Sequence, residues 1–323
     1  MKFIVILLIV ALVLAPIPYV LIWTQAPQGR ALAASDLDFD SILGQAAAEP
    51  LPEELVEMRD GTPLRVRHVE AEGKPLLVLL HGSGWYSAQF DTLIRRLEGR
   101  AEIVAPDLRG HGANPERRGD VDYIGQLEDD VADLIDFYAA PGQKVVLAGH
   151  SSGGGLAVRF AGGAHGDKID RAVLLAPFLK YDAPTTRPNS GGWAHPLSRR
   201  IIAISILNQL GITSQNDKIV IEFSFPEKVL DGPEGDKATT AYTYRMNTSF
   251  APRSDYLADV AALPDFLLVA GENDQAFVAE GYEPLMSDVT DRGSYMIVPG
   301  AGHLDLVDRP ETAEAISGVL DGL

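Results

Sequence analysis

The chain contains no cysteine. That excludes disulfides, thiolate nucleophiles and cysteine-ligated zinc, so any nucleophile has to be another side chain. Positive charge is scarce, with 27 lysines and arginines against 45 aspartates and glutamates and a net charge of −18. Such a surface opposes the counterion release that drives nucleic-acid binding, and no nucleic-acid partner is expected. No G-x-x-x-x-G-K-[ST] loop is present, and no G-x-G-x-x-G opens the first strand–helix unit, so phosphate-loop and dinucleotide chemistry find no support. His68, His165 and His195 show no metal-ligand spacing, and neither a metal nor a cofactor is expected. No internal repeat is found.

The 323 residues, 46% of them hydrophobic, can bury a sizeable core and fit one large α/β domain with an insertion. Phe3 to Trp23 carries no charge and matches the roughly 20 residues that cross a bilayer. Lys2 precedes this run, and Asp36, Asp38, Asp40 and Glu49 follow it. Residues 1–23 are therefore expected to form an uncleaved membrane anchor with the main domain periplasmic or otherwise extracytoplasmic, the alternative being export after signal cleavage. Pro16 and Pro18 would kink such a helix. Residues 24–52, rich in Ala, Gln, Pro and Asp, read as a linker.

Short apolar runs bounded by Gly, Pro or Asp then recur: LLVLL (76–80), EIVA (102–105), KVVLA (144–148), RAVLLA (171–176), FLLVA (266–270) and SYMIV (294–298). They read as buried parallel strands. Helical faces alternate with them, one formed by Phe90, Leu93, Ile94 and Leu97, another by Ile124, Leu127, Val131, Leu134, Ile135 and Tyr138. The alternation predicts an α/β fold with a mostly parallel sheet and helices on both faces. Residues 53–177 and 253–323 form its core, and the long interval 178–252 reads as an inserted, mainly helical cap holding PLSRRIIAISILNQLG and the aromatics Trp193, Phe223, Phe225, Tyr242 and Tyr244.

Directly after KVVLA comes Gly149-His150-Ser151-Ser152-Gly153. G-x-S-x-G at a strand-to-helix turn lifts a serine above the sheet edge, and the glycines are needed because side chains would collide there. A serine hydroxyl becomes a useful nucleophile when an imidazole takes its proton and a carboxylate orients the imidazole. Asp274 lies in the loop after FLLVA and His303 in the loop after SYMIV, which gives the order Ser151, Asp274, His303. Singly, Asp274 could be a turn residue, His303 a surface imidazole and the serine motif a chance glycine turn, but three such positions at three strand ends in this order point to a nucleophile, an acid and a base. Glu272 and Asp305 are nearby carboxylates, yet Asp274 sits further into its loop. His81-Gly82-Ser83 ends LLVLL, and the backbone N–H groups of Ser83 and Ser152 are the expected oxyanion donors. Trp85 and Tyr86 are candidates for the substrate pocket. His111, in DLRGHG, reads as a hydrogen-bonded structural histidine, and His150 as support behind the nucleophile.

These residues resemble the α/β-hydrolase superfamily, and within it the monoacylglycerol lipase and lysophospholipase (serine aminopeptidase-like) branch. HGSGWYS resembles that branch's H-G-x-G-x-x-S segment, DLRGHG its D-x-x-G-H-G segment, GHSSGG its G-H-S-x-G-G elbow, Gly271 to Asp274 its acid loop and Gly302-His303 its G-H ending. The resemblance spans about residues 54–321 and implies an α/β-hydrolase fold with the same roles for Ser151, Asp274, His303, Ser83 and Ser152. The serine separates the chain from epoxide hydrolases and haloalkane dehalogenases, which resemble this fold but attack with aspartate. Trp85-Tyr86 replaces the branch's Glu-His, Ser152 its Met and Asn114 its Ser, departures that leave the triad intact and the substrate open. The expected activity is hydrolysis of a small-molecule or lipid ester with a hydrophobic acyl group, lipase-, lysophospholipase- or carboxylesterase-like. Aminopeptidase, amidase or lactone hydrolysis with the same triad is the alternative, and a non-catalytic binding protein the third reading.

Overall fold

The structure is a computed structural model that describes residues 14–29, 32, 35–39, 50–113 and 115–323. Residues 3–13 of the N-terminal apolar run, most of the expected linker and Asn114 lie outside these described residues.

An eight-stranded sheet runs in the order β1-β2-β4-β3-β5-β6-β10-β11. Its strands are β1 (Glu53–Glu57), β2 (Pro63–Val69), β3 (Leu76–Leu80), β4 (Glu102–Pro106), β5 (Val145–His150), β6 (Arg171–Leu175), β10 (Phe266–Gly271) and β11 (Gly293–Val298). β1 and β2 join the sheet antiparallel, and every other pairing is parallel. Every residue of β3 and β5 is buried, as continuous apolar runs in a sheet covered on both faces require. The helix Ser152–Ala161 packs with Gln126–Tyr138, Tyr244–Phe250 and Tyr256–Ala261, while Asp91–Leu97 packs with Pro310–Asp321, which gives two helical layers.

Helix Gln126–Tyr138 buries Leu127, Val131, Leu134 and Ile135 as its spacing predicts, with Glu128 and Asp129 in its first turn where the helix dipole favours anions. Ile124, assigned to that face, lies before the helix and is exposed. Phe90, Leu93, Ile94 and Leu97 are fully buried as expected.

Between β6 and β10 the chain forms a three-stranded antiparallel sheet of β7 (Ala194–Pro196), β8 (Ile219–Phe223) and β9 (Ala241–Thr243), together with the helix Ser198–Gln209. The insertion is mainly helical, as expected, and carries this small sheet besides. Two of its strands are three residues long, too short to show a period-two pattern in the sequence.

The expected membrane anchor is corrected. Among the described residues, no helix is long and apolar enough to cross a membrane. Ile17–Trp23 is a seven-residue helix that packs against Ser198–Gln209. Ile22 is buried in a small cluster with Ala203, Ile204, Leu207, Val220 and Tyr244, and the Arg200 guanidinium donates to the Ile22 carbonyl at 3.0 Å. Hydropathy alone does not separate a membrane span from an apolar segment docked on its own protein, and the membrane-bound placement built on it falls with the anchor.

Candidate active site

The turn from β5 into helix Ser152–Ala161 allows few residue types. A Cβ on Gly149 would meet the Gly153 carbonyl oxygen at 2.2 Å, and one on Gly153 would meet the Leu80 carbonyl oxygen at 2.1 Å. Ser151, between them, adopts φ 55 and ψ −119, a conformation that costs a non-glycine residue about 1–3 kcal/mol. Its backbone is locked on both sides, the N–H donating to Leu175 at 2.9 Å and the carbonyl accepting from Phe178 at 2.9 Å.

The loops after β10 and β11 approach so closely that a Cβ on Gly271 would meet the Ala301 carbonyl oxygen at 2.4 Å. Asn273 N–H donates to Ala301 and His303 N–H donates to the Gln275 side chain, which ties the two loops together. His303 Nδ1 lies 2.8 Å from Asp274 Oδ2, and His303 Nε2 lies 3.1 Å from Ser151 Oγ. Asp274 Oδ1 also accepts the N–H groups of Ala276 at 2.7 Å and Phe277 at 2.8 Å. Burial opposes the charge on Asp274, but the adjacent imidazole and these donors outweigh it and hold the carboxyl below its usual range. With Nδ1–H given to the carboxylate, Nε2 is left to accept the serine proton. The structure thus brings together the three residues singled out in the sequence. Glu272 and Asp305 instead accept the N–H groups of Gly300 and Gly302.

Ser83 lies in the turn after β3 and borders Ser151. Ser152 opens its helix, where the backbone N–H has no intrahelical acceptor. A hydrogen-bond chain fixes the turn that carries Ser83. Gly82 N–H donates to Gln89 Oε1 at 3.1 Å, the Gln89 amide meets His150 Nδ1 at 3.2 Å, and His150 Nε2 meets the His303 carbonyl at 2.9 Å. A carbonyl partner makes Nε2 the protonated nitrogen of His150, and Nδ1, accepting from the Gln89 amide, carries no proton, so the ring is neutral. Burial, helped by His303, pushes its pKa down to about 3. Gly84 N–H donates to the Tyr242 hydroxyl at 2.8 Å, and that hydroxyl lies 2.6 Å from His111 Nε2. Trp193 Nε1 donates to Ser83 Oγ at 3.1 Å.

Two small cavities, about 30 and about 70 Å³, meet at Ser83, Ser151, Trp193 and His303. The first is walled by Leu37, Phe39, Trp85, Phe225, Leu304 and Val307. The second is walled by Phe178, Ile221, Phe223, Tyr242, Phe250 and Phe277. Of the two expected pocket residues, Trp85 lines the first, whereas Tyr86 lines neither and donates its hydroxyl to Glu234. Leu37 and Phe39 were hidden in the expected linker. Their signal is the strict alternation Asp36-Leu37-Asp38-Phe39 in the sequence, and in the structure Leu37 and Phe39 are buried while Asp36 and Asp38 are exposed. A larger cavity of about 540 Å³ lies along β2, lined by ion-paired Asp60, Arg65, Arg109 and Arg117, and includes none of Ser151, Asp274 and His303.

A family model described as "Alpha/beta hydrolase family" matches residues 77–315. The chain is 26% identical over 253 residues to the pimeloyl-[acyl-carrier protein] methyl ester esterase of Nitrosomonas europaea, covering 76% of this chain and 95% of that protein. It is 26% identical over 257 residues to the 2-(acetamidomethylene)succinate hydrolase of Mesorhizobium japonicum, covering 76% and 88%. An uncharacterised protein of Mycobacterium tuberculosis is 31% identical over 102 residues, and the chain spans only 29% of that relative's length. Among solved structures, a monoacylglycerol lipase of Paleococcus ferrophilus superimposes with a TM-score of 0.60 at 21% identity, covering 81% of this chain and 98% of that one. A fold likeness at that identity is a likeness of fold.

Proposed function

We propose, given that this chain belongs to the alpha/beta hydrolase family, that it hydrolyses carboxylic esters with Ser151 as nucleophile, His303 as base and Asp274 as the acid that orients the imidazole. The observation that carries this reading is the unbroken line of hydrogen bonds from Ser151 Oγ through His303 to Asp274, 3.1 and 2.8 Å long. Residues 53–177 and 253–323 are taken as the hydrolase core and 178–252 as its cap.

In the proposed cycle Ser151 Oγ attacks the ester carbonyl as its proton passes to His303 Nε2. Negative charge on the carbonyl oxygen is met by the N–H groups of Ser83 and Ser152, worth about 3–4 kcal/mol per donor in comparable sites. Asp274 stabilises the imidazolium, which then protonates the departing alkoxide. Water, deprotonated by His303, attacks the acyl-enzyme and releases the acid. The apolar walls of both cavities fit a hydrophobic substrate.

The similarity to a 2-(acetamidomethylene)succinate hydrolase keeps amide cleavage as a second reading. Among the described residues, however, no lysine or arginine lines either cavity, which disfavours a dicarboxylate substrate. The test is turnover of p-nitrophenyl esters and the matching anilides, with fluorophosphonate labelling of Ser151. Ester turnover lost in Ser151→Ala supports the proposal. Turnover retained in that variant, or absence of labelling in folded protein, overturns it, the latter in favour of a non-catalytic binding protein.

A further inference from the structure

The segment ahead of the core enters the substrate site. Leu37 and Phe39, 7% and 4% exposed, wall the cavity that also holds Trp85, Leu304 and Val307. The Phe39 ring lies 5.6 Å from that of Trp193 and 5.7 Å from that of Phe225. Asp36 N–H donates to the Gly191 carbonyl at 2.9 Å. Gly191 has φ +65, and a Cβ there would meet the Gln275 carbonyl oxygen at 2.3 Å, so this turn is wedged between the segment and the loop that carries Asp274. Upstream, the buried Glu222 carboxylate on β8 accepts the N–H groups of Gln28 and Gly29 at 2.8 and 2.6 Å. Arg199 N–H donates to the Gln25 side chain at 2.9 Å.

We propose that residues 35–39 form a specificity strap, in which Phe39, seconded by Leu37, sets the largest ester substituent that the cavity of Trp85, Leu304 and Val307 accepts. This deepens the ester-hydrolase reading and rests on it. The wall is made by a segment tied to the cap through backbone donors, so the side chain at position 39 changes the length of the cavity without touching the hydrogen bonds of Ser151, His303 and Asp274. At about 30 Å³, the cavity holds little more than a small group beyond the carbonyl carbon. Removing the phenyl ring opens it toward the strap, and enlarging the ring shortens it further.

The experiment uses the full chain with Phe39→Ala, Phe39→Trp and Leu37→Ala. Two substrate series are read, p-nitrophenyl acetate to decanoate and ethyl to octyl acetate, so that the substituent is varied on either side of the ester. Active sites are titrated with a small fluorophosphonate. Phe39→Ala is expected to raise the ratio of kcat/KM for the longest against a short ester about tenfold in one series. Phe39→Trp is expected to lower it, and Leu37→Ala to raise it less, giving an independent reading should Phe39→Ala not fold. Ratios within about twofold of wild type in both series for every folded variant, at equal titrated Ser151, would overturn the strap and leave the hydrolase reading standing. A wild-type protein that is neither labelled nor active on any ester would overturn the hydrolase reading and the strap with it.

Discussion

Tyr242→Phe isolates the bond by which the proposed cap holds the turn beside Ser151. His111 Nδ1 faces the carbonyls of Arg109 at 3.0 Å and Leu108 at 3.2 Å, so that nitrogen carries the proton and Nε2 accepts. Burial, reinforced by neighbouring His81, pushes the His111 pKa down to about 3, which keeps Nε2 unprotonated. The Tyr242 hydroxyl therefore donates to His111 and accepts from Gly84 N–H. Phenylalanine keeps the edge-on ring contacts with Phe223 and Phe250 and removes only the hydroxyl. Two buried groups, Gly84 N–H and His111 Nε2, are left without a partner at about 1–3 kcal/mol each, so the expected loss is about 2–6 kcal/mol. Urea unfolding should show a lower midpoint at an unchanged slope. Because Gly84 adjoins Ser83, kcat on a short ester should fall with KM little altered. In a double-mutant cycle, His111→Phe should remove part of the Tyr242→Phe effect. A stability change under about 0.5 kcal/mol would refute the hydrogen-bond assignment.

In Asp274→Asn, one amide cannot accept from His303 and from the two N–H groups of Ala276 and Phe277 at once. The imidazole loses its tautomer, and kcat should fall by roughly 10³ to 10⁴; steady-state rates on a p-nitrophenyl ester within tenfold of wild type would contradict the role. His81, His111 and His150, held neutral by burial down to about 4, 3 and 3, take up protons on unfolding at any pH between those values and about 6.5. Their contribution is whole above about 6.5 and falls as the pH drops, by roughly 1.4 kcal/mol per histidine at pH 5.5. Melting temperatures at pH 7.5 and 5.5 should differ accordingly, and equal values would show that these groups titrate alike in both states. Gly153→Ala drives a Cβ into backbone at 2.1 Å and should prevent soluble expression, whereas Gly318→Ala, in a helix with nothing within 4 Å, should raise stability by about 0.4–1 kcal/mol in thermal melts.

The three proposed catalytic residues were legible because each follows a strand whose apolar run shows in the sequence, and a parallel sheet delivers its strand ends to one edge. The glycines of the elbow were legible for a steric reason that the contacts at Gly149 and Gly153 bear out. Tyr86 faces away from both cavities because neighbours in a turn point different ways, and the distant partners that hold it, Glu234 and Lys237, leave no local mark in the sequence. The apolar run at 17–23 failed for a related reason. Its partner surface on helix Ser198–Gln209 is assembled only when the cap folds, far along the chain.

The same distance hides from the sequence what the aromatics of 178–252 hold in place. In the sequence Trp193 and Tyr242 show only as aromatics of the cap. In the fold each also bonds to the turn of Ser83 and Gly84, one at Ser83 Oγ and the other at Gly84 N–H. A change at either position that widens the pocket also loosens the turn proposed to receive the developing charge, so rate and size selectivity are coupled there. Phe39 reaches the same space through ring contacts with Trp193 and Phe225. Substitutions at 39 should move selectivity with far less effect on kcat for a short ester than substitutions at 193 or 242, and that difference separates a wall from a support.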